Sequence, residues 1–163
     1  MSEVLKDQTG AKALIPHPGY KIPCYLFLER AQSSSNRVGR IDIPGGRRND
    51  TDQSILGGLE REVDEETGLQ IVTHGNLRPH QIYQQTIERR PQYPNVNRFT
   101  FLANVVEVRP VELSEEHERS FWLPRHEVLQ EDLDDSLREL MESSTLSRVE
   151  NYMQHLGLLQ LVR

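Results

Sequence analysis

Apolar positions fall into short runs along most of the chain, separated by polar breaks. Residues 24–28 are a continuous apolar stretch and read as a buried strand. Residues 40–43 read as a second short strand, running into Pro44-Gly45-Gly46, a strong breaker. Ser33-Ser34-Ser35-Asn36 forms a polar loop between the two, and residues 49–52 continue as loop. The period then changes. Ile55, Leu59 and Val63 recur every four residues, which predicts a helix over 53–67 with Gly68 as its stop. Further strands are expected at 70–72, 81–87, 98–107 and 120–123, with Pro91 and Pro94 marking a loop between two of them. Residues 124–129 suit a short helix. Residues 134–156 read as a terminal helix or a broken pair: Leu137, Leu140 and Met141 form one stripe, Val149, Met153 and Leu156 another, and Ser143-Ser144-Thr145 stands between them.

Mixed strands with one central and one terminal helix predict an α/β sandwich. The length of 163 residues suits one domain, taken as 1–163, and no internal repeat or long linker divides it.

Charge narrows the partners. The net charge is −6, and the basic residues make only short pairs such as Arg47-Arg48 and Arg89-Arg90, so no nucleic-acid partner is expected. No apolar run approaches the roughly 20 residues of a membrane span, and the polar start lacks a secretory signal. Cys24 is the one cysteine, which excludes an intrachain disulfide and a cysteine metal cluster. These features favour the cytoplasm.

The acidic residues become informative where they cluster. In Arg61-Glu62-Val63-Asp64-Glu65-Glu66-Thr67-Gly68-Leu69, the glutamates at 62, 65 and 66 share about a third of the helix circumference. Like charges at that spacing destabilise a helix unless a cation neutralises them. Hard divalent ions prefer such oxygen ligands. Glu66 also projects toward Ile55 and Leu59, so the face should be partly buried. Gly57 and Gly58 lie inside the same helix, where each costs about 1 kcal/mol relative to alanine. Gly58 falls on the carboxylate side, where a missing side chain would let a loop approach, the loop holding Gly45-Gly46 first; the alternative is that both glycines lie in an irregular first turn.

Residues 61–69 resemble the second half of the Nudix signature at every position, and Pro44-Gly45-Gly46 stands where the family has its Pro-Gly-Gly. From typical residue usage such a match arises by chance roughly once per ten million start positions. The resemblance covers about residues 45–69, and more loosely the strand order and Phe121-Trp122-Leu123-Pro124. It implies the Nudix α/β/α sandwich with a mixed central sheet. It implies Mg²⁺ or Mn²⁺ held by Glu62, Glu65 and Glu66, a further ligand from the Gly45 carbonyl, and Arg61 orienting the glutamates. A further glutamate from a later loop would act as base or ligand; in Ser114-Glu115-Glu116-His117-Glu118, Glu116 is the first candidate and Glu115 the second.

The signature's first half departs from the pattern. Counting from the glycine puts Asp52 at the first glutamate position, and counting back from Arg61 puts Gln53 there. Either would leave Arg61 less firmly oriented.

The implied activity is metal-dependent hydrolysis of the diphosphate linkage in a nucleoside diphosphate derivative, with an ADP-sugar such as ADP-ribose as leading substrate. Dinucleoside polyphosphates and oxidised nucleoside triphosphates stay open. The alternative is a weakened, nucleotide-binding regulatory module. Arg47, Tyr83 and Arg89 are candidate substrate contacts, the arginines for phosphate and the tyrosine for stacking. The six histidines lack zinc-site spacing, with His117 the best placed of them. The terminal helix is read first as a packing element and second as a homodimer interface.

Overall fold

The computed structural model describes residues 6–31, 39–89 and 91–155. Seven strands and four helices follow in the order β1 (Gln8–Leu14), β2 (Cys24–Arg30), β3 (Ile41–Asp42), β4 (Gly45–Arg47), α1 (Ile55–Thr67), β5 (His80–Ile87), β6 (Val96–Leu102), β7 (His117–Pro124), α2 (Arg125–Val128), α3 (Asp135–Glu142) and α4 (Ser144–His155). One sheet has the order β4-β1-β6-β5 and is mixed, because β1 runs parallel to β6 while its other pairs are antiparallel. The second sheet, β3-β2-β7, is antiparallel.

Two apolar clusters flank these sheets. Alternation along β1 sends Leu14 to one side and Ala11 and Ala13 to the other. The Leu14 side meets Leu137, Leu140, Met141, Leu146 and Met153 of α3 and α4. The opposite side meets Leu59 and Val63 of α1. β2 divides likewise, with Tyr25 and Phe27 on the first side and Leu26 and Leu28 on the second. The result is the expected three-layer α/β/α sandwich.

The helix over 53–67 begins slightly later than its pattern suggests. Ser54 is the cap, its hydroxyl accepting from the Gly57 N–H at 2.9 Å, and Gly68 closes the far end in the left-handed region at φ 71°. The terminal segment is a broken pair, split at Ser143, whose hydroxyl accepts from the Leu146 N–H and starts α4. Leu146 and Met153 are buried, so α4 packs on the core; Leu156 and the loop at 33–36 lie outside the described residues.

Two strand expectations need correction. Residues 70–72 pair only briefly, through the bridge of Ile71 to Val105 and the hydrogen bonds from Val72 to Asn104 and from Val106 to Gln70 on either side of it, too short a stretch to make a strand. The strand expected over 98–107 is Val96–Leu102; beyond it Ala103 donates to the Leu14 carbonyl at the end of β1, and the ladder stops. β1 itself has no counterpart in the pattern reading, although it lies inside the mixed sheet. No helix among the described residues is long and apolar enough to cross a membrane.

Candidate active site

A cavity of 430 Å³ opens where β1, β4 and β6 meet the C-terminal half of α1. Glu62, Glu66 and Glu116 line it together with Asp42. Five cationic side chains face the same space: Lys12, Arg30, Arg47, Arg89 and Arg98. Opposite charges are therefore interleaved around one volume, as a polyanion bound with counterions would require.

The helix places its carboxylates at different depths. Glu66 is 5% exposed, and one carboxylate oxygen accepts from the Gly45 N–H at 3.3 Å. Burial raises its pKa to about 8; Lys12 opposes that rise and Glu62 adds to it. Glu62 reaches the backbone of β4: a Cβ on Gly46 would lie 2.8 Å from its carboxyl carbon, so a side chain there would push the carboxylate aside. Glu65 is the outermost, with a side chain 58% exposed, and it does not line the cavity.

Arg61 ties the outer carboxylates together. Its guanidinium donates to Glu62 at 3.0 Å and to Glu65 at 3.2 Å. On its other edge it donates to both oxygens of Asp52, at 2.9 and 3.1 Å. Asp52, not Gln53, thus stands in for the first glutamate. The shorter arm still reaches the arginine with both carboxylate oxygens. Asp52 also accepts from the Asn49 N–H at 2.7 Å, and the arginine hydrogen bond lowers its pKa.

Gly58 makes that arrangement possible. A Cβ there would sit 2.8 Å from Asp52 Oδ2, so the missing side chain receives Asp52 and not, as the sequence suggested, the Gly45-Gly46 loop. An alanine in a helix ordinarily gains about 1 kcal/mol over glycine. Gly58→Ala is expected to go the other way in function: it displaces Asp52, frees Arg61, and lowers kcat roughly tenfold, the size of one lost charged hydrogen bond. Steady-state kinetics check this, with a wild-type rate as the contrary result.

The other expected site residues separate. Glu116 lines the cavity while the adjacent Glu115 does not. Arg47 and Arg89 line it too. Tyr83 does not: it packs against the cluster under α3 and α4, where burial and Glu139 raise its pKa. It shares a strand face with Ile87, which does reach the cavity, but sits too far back along β5. The His117 ring is turned inward and buried, and burial lowers its pKa to about 4. Cys24 is buried in β2 as expected. The Gly45 carbonyl, expected to face a metal, accepts the Lys12 ammonium at 3.1 Å. Lys12, Asp42 and Arg98 were missed by sequence reading; they are separated along the chain, and only the strand pairing brings them together.

The donor set suits a hard divalent ion. Among the described residues no three acidic, histidine or cysteine side chains converge on one point, since Glu62 and Glu65 turn to Arg61 and Glu66 turns to Gly45. Mg²⁺ needs only one or two carboxylates when waters and substrate phosphates complete its shell.

A sequence profile of the NUDIX domain matches residues 16–143. The three-layer fold and carboxylate helix already define the class, and the match assigns the family: the chain belongs to the NUDIX domain family, whose enzymes hydrolyse pyrophosphate bonds. No curated protein matches the chain. Among solved structures it is similar to a MutT protein from Methanosarcina mazei Go1, with 28% identity, a TM-score of 0.72, and coverage of 91% of this chain and 99% of that one. The fold is also shared with the NUDIX domain of Shewanella oneidensis NrtR complexed with ADP ribose (17% identity, TM-score 0.69, 90% of each chain). A C. elegans Ap4A hydrolase shares it as well (18% identity, TM-score 0.65, 87% of this chain and 96% of that one).

Proposed function

We propose that this protein is a divalent-metal-dependent pyrophosphohydrolase that cleaves the diphosphate linkage of a nucleoside diphosphate derivative, with ADP-sugars such as ADP-ribose as leading substrates. The observation that carries this reading is the single cavity in which Glu62, Glu66 and Glu116 face Arg47, Arg89 and Arg30. The arginines match a diphosphate: their planar forks pair with phosphate oxygens and neutralise the substrate. Glu62, Glu65 and Glu66 are the residues that would hold the ion, and a bound Mg²⁺ or Mn²⁺ supplies charge screening and a more acidic water. Arg61, pinned by Asp52, keeps Glu62 and Glu65 from drifting apart. Glu116, which lines the same cavity, accepts the proton of the attacking water. The similarity in fold to an ADP-ribose complex supports the substrate class.

The weakened-module alternative drew its support from the altered first glutamate. The contact of Asp52 with Arg61 through both oxygens favours the active enzyme over that alternative. A screen of ADP-sugars, dinucleoside polyphosphates and nucleoside triphosphates, with Mg²⁺ and Mn²⁺ and product identification, tests the proposal. ADP-ribose is expected to yield AMP and ribose phosphate in a metal-dependent reaction. No turnover of any diphosphate with either ion would overturn it.

A further inference from the structure

Lys12 lies on β1, ahead of the residues the NUDIX profile matches. Its side chain is 13% exposed. The ammonium stands 3.1 Å from the Gly45 carbonyl, 3.3 Å from the Ile43 carbonyl and 3.3 Å from Asp42 Oδ2. It is held from both sides. The β1–β4 ladder sets Lys12 directly opposite Gly45. Behind it, Asp42 is anchored by Arg98 through both carboxylate oxygens, at 3.2 and 2.9 Å. Burial would raise the pKa of Asp42, but Arg98 and Lys12 hold it well below the usual carboxylate range.

Gly45 joins this cation to the carboxylate helix. Its carbonyl accepts from Lys12 while its N–H donates to Glu66. A carbonyl that already receives an ammonium is a poor ligand for a second cation. We propose that Lys12 is a fixed monovalent cation at the metal-binding face, occupying the Gly45 carbonyl and leaving divalent ions to the carboxylates of α1 alone. It is a positioning residue for charge, and the idea rests on the metal-dependent reading above.

The sign of its effect follows from Coulomb's law. An ammonium repels a divalent ion about twice as strongly as it repels a competing proton at the same place. Removing Lys12 therefore favours the ion.

The test is Mn²⁺ titration without substrate, counting free ion by electron paramagnetic resonance. Lys12→Gln is expected to bind Mn²⁺ at least about tenfold tighter than wild type, or to take up one further ion per chain, while Lys12→Arg behaves as wild type. Equal or weaker binding by folded Lys12→Gln overturns the proposal. If neither protein binds Mn²⁺ without substrate, the proposal falls, while the metal-dependent reading is decided separately by the turnover screen above. Should Lys12→Gln fail to fold, the wild type decides. The chain has only three lysines, Lys6, Lys12 and Lys21, so side-chain ¹⁵N resonances are readily assigned. The Lys12 ammonium signal should persist unchanged through a Mg²⁺ titration, and its displacement by Mg²⁺ overturns the proposal.

Discussion

Replacing Glu66 by glutamine is expected to cut turnover by roughly a hundredfold or more and, in the absence of metal, to make the protein more stable at pH 8. The two effects share one cause. Glu66 is buried, and its pKa is raised to about 8 by that burial, with Lys12 opposing and Glu62 reinforcing. A carboxyl whose pKa is higher folded than unfolded contributes stability that is fully present below its unfolded value, near 4.5, and is lost as pH rises toward 8. Glutamine mimics the neutral form and has nothing to lose over that window. Each tenfold difference in proton affinity is about 1.4 kcal/mol, so with EDTA present the variant should gain on wild type by roughly 2 kcal/mol or more by pH 8 and be equal to it near pH 4. Urea melts at the two pH values check this. Divalent metal should stabilise wild type by mass action and leave the variant's melting point nearly unmoved. A variant that turns over normally in saturating Mg²⁺ would remove Glu66 from the site.

Glu116→Gln is the second large expected effect, and it should be asymmetric with its neighbour. A carboxylate engaged with metal is a poor free base, so the proton of the attacking water needs another acceptor. Glu116 lines the cavity from the turn before β7, where its carbonyl accepts from the Ala31 N–H, while Glu115 does not line the cavity. Glu116→Gln should therefore lower the chemical step about a hundredfold with Mn²⁺ affinity unchanged. Glu115→Gln should do little. Single-turnover kinetics beside a metal titration separate the two quantities. Damage confined to Glu115→Gln would move the base by one residue, and two normal variants would return it to α1.

The carboxylate helix was legible in the sequence because its information is local. The stripe Ile55-Leu59-Val63, the stop at Gly68 and the 61–69 motif all reside within one element. The choice between Asp52 and Gln53 was not legible. It depends on a loop turning so that Asp52 enters the space above Gly58, and spacing alone counts both residues equally. β1 was hidden for a different reason. Gln8-Thr9-Gly10-Ala11-Lys12 offers little strand propensity, and pairing on both flanks overrides it. With the strand went the lysine, and with the lysine its link to Asp42 and Arg98. The misplacement of Tyr83 is a matter of distance along one strand face, which residue type does not encode.

That central first strand bears on how the chain assembles. Gln8 pairs with Val96 and Leu14 with Leu102, in parallel, and parallel pairing across such a separation must first meet a large loop-closure entropy. During synthesis β1 emerges before β6 and finds its parallel neighbour only after β6 has followed. Until then its apolar residues and one edge are uncovered, and Lys12 remains in water. The same ammonium that later faces the carboxylates gives this waiting segment a charge that discourages pairing with a second nascent chain.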